Sequence, residues 1–110
     1  MSSIEGKYTC QPRYNATFYS DGGPYDPTTW TEISFTDHNG NNFESGYIHF
    51  FNTDLNNTIQ FSFDPRAVDA ATKVIHGTVE AGNEFFMEGK AAKSILVRGA
   101  ATLKLTVWRS

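Results

Sequence analysis

Tyr25, Asp26 and Trp30 are the first residues whose types and spacing suggest chemistry. An indole and a phenol offer apolar faces on which the C–H face of a sugar ring can stack, while a nearby carboxylate accepts hydrogen bonds from hydroxyls. The three fall in the run Ser20 to Trp30, the longest irregular stretch of the sequence, which holds Gly22, Gly23, Pro24 and Pro27. Glycine supplies unusual dihedrals and proline fixes φ, so this loop is expected to be stiff, and a preorganised shelf loses less entropy on binding. A second cluster is Asp37-His38-Asn39-Gly40-Asn41-Asn42. Asp37, His38, Asn39 and Asn41 suit sugar hydroxyls. With Glu44 the oxygens of this run also suggest calcium, but the EF-hand loop has its glycine sixth, and Gly40 is fourth in this run. The plain alternatives are a long connection and a hairpin tip.

Other chemistries find little support. His38, His49 and His76 have no second His or Cys at metal-ligand spacing, so no zinc site is expected. His49 and His76 fall inside strand-like runs, where a structural histidine is the default. The sequence has no glycine-rich phosphate loop and no nucleophile elbow. Carboxylates paired across strands leave a glycosidase-type acid pair open, but such enzymes usually need a deep cleft. The expectation is a non-enzyme without metal or cofactor. Cys10 is the only cysteine, so no internal disulfide can form, and it is expected to be buried and inert.

The elements that must position these residues are strands. Thr31, Ile33 and Phe35 alternate with Trp30, Glu32, Ser34 and Thr36; Ile59, Phe61 and Phe63 with Thr58, Gln60 and Ser62; Leu103, Leu105 and Val107 with Lys104, Thr106 and Trp108. Such period-two patterns place one face on a core and one toward solvent, as in antiparallel sheets. Tyr14, Ala16 and Phe18 alternate more weakly. Turn residues separate the runs: Asp21-Gly22-Gly23-Pro24, Asn39-Gly40, Asp54 to Asn57, Ala81-Gly82-Asn83 and Gly99. Eight or nine strands at sandwich or barrel spacing are expected. Asp64-Pro65 could open a turn or two of helix reaching Ala71, ahead of a strand over Lys73 to Ala81.

Large apolar residues on the polar phase are the informative ones. Trp30 shares a phase with Glu32 and Ser34, Trp108 with Lys104 and Thr106, and Tyr19 with Thr17. Phe43, Tyr47 and Phe51 fall on one side of a run whose other side holds Ile48 and Phe50. An exposed apolar patch marks a partner: a glycan, a second copy of the chain, or an outer face folded inward against another layer.

The 110 residues suit one domain, 1–110. Aromatics make up 15% of the chain, enough for a core without staples. A net charge of −3 argues against nucleic acid, and no apolar run is long enough to span a bilayer. Up to Phe63 there are seven acids and two bases, and from Asp64 onward five acids and seven bases, an asymmetry that could guide self-association. No charged and apolar leader opens the chain, so a cytoplasmic location, or export without a classical signal peptide, is expected. Asn15-Ala16-Thr17 and Asn56-Asn57-Thr58 match the glycosylation sequon and read as chance matches.

Gly6-Lys7-Tyr8 faintly resembles the early Gly-x-Trp of calycin barrels, the lipocalin and avidin class, with Tyr in place of Trp, and Arg109 on the last strand would correspond to the basic residue that closes over it. The resemblance covers only these residues. It implies a closed barrel around a small apolar ligand. In general character the chain is similar to small leaderless lectins of fungi and microbes. The leading expectation is an all-β antiparallel sandwich acting as a carbohydrate-binding, lectin-like module and homodimer. An internal-ligand barrel and a structural or protein-interaction domain are the rivals.

Overall fold

The computed structural model describes residues 16–64 and 75–109. Eight strands form there: β1 (Phe18–Gly22), β2 (Thr31–Ser34), β3 (Ser45–Asn52), β4 (Ile59–Ser62), β5 (Gly77–Val79), β6 (Glu84–Glu88), β7 (Ser94–Arg98) and β8 (Leu103–Arg109). They make two four-stranded antiparallel sheets, ordered β1-β8-β3-β6 and β2-β7-β4-β5. The sheets do not close into a barrel, so the expected sandwich forms and the calycin-like alternative does not. Apart from β4 to β5, every connection carries the chain from one sheet to the other.

No described residue is helical and no described helix is long and apolar enough to cross a membrane. The helical turn expected from Pro65 to Ala71, the Asn15 sequon, Tyr14, Cys10 and Gly6-Lys7-Tyr8 lie outside the described residues.

The alternating residues meet between the sheets. Ile48, Phe50, Leu103, Leu105 and Val107 of the first sheet pack with Ile59, Phe61, Val79, Ile95 and Val97 of the second. Phe50, Phe61 and Phe85 stack in the middle, with centroids 5.2–5.4 Å apart. Phe35 is fully buried just beyond β2. Polar groups also tie the layers. Asn52, at the end of β3, is fully buried. Its Nδ2 donates to the carbonyls of Asn57 at 2.8 Å and Val79 at 3.0 Å, and its Oδ1 accepts from the Asp54 N–H at 3.0 Å. Ser45, at the other end of β3, is also buried, and its hydroxyl accepts from the Ala92 N–H at 3.1 Å.

One face assignment is corrected. Alternation puts Phe43 on one side with Tyr47 and Phe51, opposite Ile48 and Phe50, yet Phe43 is only 6% exposed and shares the core with Ile48 and Phe50. The β3–β8 register shifts between Ser45 and Tyr47. A bulge there inserts one extra residue and reverses the side-chain phase, so Phe43 points inward while Tyr47 and Phe51 point outward.

Candidate functional site

The residues expected to bind ligand gather at the two ends of β2, separated by about 13 Å of extended strand. At one end is the β1–β2 connection. Asp26 Oδ1 accepts the Thr28 N–H at 2.7 Å, the Thr28 hydroxyl at 2.9 Å and the Thr29 N–H at 2.9 Å. These bonds hold the carboxyl below the usual carboxylate range. The loop is anchored to the β7–β8 turn: the Tyr25 N–H donates to Gly99 O at 3.1 Å and the Gly99 N–H to Asp26 O at 3.0 Å. The segment expected to be stiff is thus tied by backbone hydrogen bonds to a neighbouring turn. Tyr25 spends much of its ring on the core edge. Burial, with Asp21 nearby, raises its phenol pKa, and a hydrogen bond with Ser20 partly offsets this.

Trp30 lies on the outer face of the second sheet. Thr31 pairs with Val97, so continuing the register sets Trp30 opposite Arg98. The Arg98 guanidinium sits 4.5 Å over the indole, and its Nε donates to Gln60 Oε1 at 2.7 Å. One indole face is thus covered by a cation, in a contact of about 0.5–1 kcal/mol at such exposed sites.

At the other end of β2 the connection to β3 folds into a short local hairpin, the β2–β3 hairpin, although the two strands belong to different sheets; it is closed by a bridge between Thr36 and Asn42, with Gly40 at a φ of 81°. Asp37 organises it. Its Oδ1 accepts the N–H groups of Asn39 at 2.9 Å and Asn41 at 3.0 Å, and its Oδ2 accepts Arg109 Nη2 at 2.9 Å. The Asn41 backbone bond leads the effects that hold this carboxyl below its usual range, with Asn39 and Arg109 adding to it against partial desolvation. Both Asp37 oxygens, among those that would anchor calcium, are committed to these donors. Among the described residues no group of three or more His, Cys, Asp or Glu could hold a metal.

Arg109 is also placed 5.3 Å from the centre of the Phe43 ring. With Ala16, Thr17, Asp37, His38 and Asn39 it lines an open cleft of about 320 Å³. The Arg109 N–H donates to Thr17 Oγ1 at 3.2 Å. The cleft brings Asp37, His38 and Asn39 together, whereas Asn41 contributes backbone to the hairpin and does not line it. Sequence reasoning missed Thr17 and Arg109 as its other walls. A signal existed for Arg109, a charged residue in phase with Leu103, Leu105 and Val107 on the core-facing side of β8.

Beside the cleft lies the outer face of the first sheet. Trp108 stands opposite Tyr47, and Tyr47 opposite Glu88; in the next row Tyr19, Thr106, His49 and Phe86 face one another; the third holds Asp21, Lys104, Phe51 and Glu84. Trp108 and Tyr47 are half-buried, and their rings meet at 84° with centroids 5.0 Å apart. His49 and Phe86 stack at 4.4 Å and 14°. That distance matches the strand spacing of about 4.8 Å, so these rings stand upright and present edges. His49 is fixed by Glu84, with Nε2 and Oε1 2.7 Å apart. Thr106, outward-facing yet 1% exposed, lies beneath its neighbours. The two tryptophans thus project from opposite faces of the sandwich. His76, exposed beside β5, accepts the Phe63 N–H through Nδ1 at 2.9 Å.

Compared with known proteins, the chain matches no family model, no curated protein and no solved structure.

Proposed function

We propose that this chain is a non-catalytic carbohydrate-recognition module whose primary contact is the cleft between the β2–β3 hairpin and the end of β8. One observation carries the reading: a carboxylate, an amide, an imidazole, a hydroxyl and a guanidinium converge on one open cleft beside outward-facing aromatic rings. Hydroxyl-rich ligands need such mixed donors and acceptors. Asp37, tied to the hairpin backbone, fixes Arg109, so the polar wall is organised before a ligand arrives. The anchored Tyr25–Trp30 segment is distant from this cleft and would serve as a separate contact.

Glycan-array binding with purified protein tests the reading. Capture of defined glycans, lost in Arg109→Ala and Asn39→Ala while the thermal melt stays within a few degrees, is the expected result. An array with no captured glycan refutes it. A second reading, a protein-interaction domain acting as a homo-oligomer, is favoured by Phe86 and Tyr19, 48% and 43% exposed on one face. It predicts a stable oligomer in light scattering with no glycan bound. Self-association would also give weak sugar sites avidity.

A further inference from the structure

The first sheet's outer face is not uniform, and its rows differ in what they can offer a ligand. In the middle row the stacked rings of His49 and Phe86 present edges, which suit neither face of a sugar. The row of Trp108 and Tyr47 differs, because its two rings meet nearly at right angles, at 84°, and cannot both stand edge-on in one parallel stack. This row is continuous with the hairpin cleft. Phe18 pairs with Val107, and the Thr17 N–H donates to Val107 O at 3.0 Å, so Thr17, a lining residue of the cleft, is also the neighbour of Trp108 across the β1–β8 ladder. Reading across the sheet, the order is Thr17, Trp108, Tyr47, Glu88.

Resting on the carbohydrate reading of the cleft, we propose that the ligand is an extended, neutral oligosaccharide, anchored by its end in the cleft and running across β1, β8 and β3 over Trp108 and Tyr47 to Glu88. Three steps at the strand spacing cover about 14 Å. A pyranose unit in an extended chain advances by about one such step, so the track takes several units rather than one. Equatorial linkages of the β-1,4 kind keep a chain flat enough to follow a sheet surface and expose axial C–H groups to the rings. Polar groups mark both ends: Thr17, His38 and Asn39 at the start and the Glu88 carboxylate at the finish, where hydroxyls would donate. Glu88 lies close enough to add to the burial that raises the Tyr47 phenol pKa. That carboxylate, on a chain of net charge −3, disfavours uronic acids and sulfated sugars.

The test is calorimetric titration of the intact chain with cello-oligosaccharides and chito-oligosaccharides, from disaccharide to hexasaccharide. Affinity in one series is expected to rise about tenfold with length and then level off. The hexasaccharide-to-disaccharide ratio should fall toward one in Tyr47→Ala and Trp108→Ala and recover in Trp108→Phe, whereas Arg109→Ala should weaken every length alike. Thermal melts report whether each variant folds, and Tyr47→Ala keeps the test alive if Trp108→Ala does not. Equal affinity at all lengths, lost in Arg109→Ala, overturns the track and leaves the cleft. Binding of other glycans on the array, with neither series bound, overturns this substrate class. An array with no capture overturns the carbohydrate reading itself.

Discussion

Asn52→Ala should remove more stability than its size suggests. Its amide is fully buried and joins the β3–β4 connection to the end of β5: it donates to Asn57 O, Val79 O and, at 3.3 Å, Glu80 O, while accepting from the Asp54 N–H. Alanine strands the buried Val79 carbonyl, at a cost of about 1–3 kcal/mol. The remaining partners are part-buried and regain water, so about 1 kcal/mol for their lost bonds gives a total near 3 kcal/mol. Native domains have only about 5–15 kcal/mol in all. With a urea m-value of about 1.5 kcal/mol per molar, the midpoint should drop by about 2 M at constant m. Asn52→Asp should be at least as damaging, since it replaces the donor facing three carbonyls with an acceptor. A midpoint shift below about 0.5 M for alanine, or an aspartate variant as stable as the native chain, would refute the view that this amide clips the two sheets together.

Phe43→Ala should cost about 3–5 kcal/mol as a core truncation, while Phe51→Ala on the outer face should cost about 1 kcal/mol; equal losses in chemical denaturation would contradict the bulge. Gly99→Ala should destabilise by several kcal/mol, because its φ is 141° and a Cβ would meet Thr58 O at 2.6 Å and Ile59 Cα at 3.0 Å. Gly40→Ala meets nothing within 4 Å and should lose only about 1–2 kcal/mol of left-handed strain, so the two melting curves should separate clearly. Because the folded Asp37 carboxyl titrates below its ordinary value of 3.8, its stabilisation of the hairpin holds above that value and fades as pH falls through the lower folded value. The Asp37 side-chain carboxyl resonance in NMR should therefore keep its ionised position from neutral pH down to about 4, and protonation of that carboxyl already at about pH 6 would contradict the assignment.

Much of the fold was legible because period-two alternation is a local signal. The runs around Thr31–Phe35, Ile59–Phe63 and Leu103–Val107 formed strands with the expected faces inward, and Asn39-Gly40 made its hairpin. Phe43 was misplaced because alternation carries no mark of an inserted residue, and the bulge that reverses its phase is set by pairing with β8. The candidate site was legible in part. Asp37, His38 and Asn39 are close in sequence and came together, but Thr17 and Arg109 reach the cleft through pairing between distant segments, which no window of sequence contains. Trp30 and Trp108 were both recognised as outward-facing. That they belong to different sheets depends on strand order, and the covering of Trp30 depends on Arg98 in a neighbouring strand.

The placement of those two indoles gives the molecule two independent optical reporters. One emits from beneath a guanidinium, the other from beside a phenol that can transfer excitation to it. Single phenylalanine replacements would isolate either signal, so a titrant quenching one emission and not the other would show which side of the sandwich it had reached.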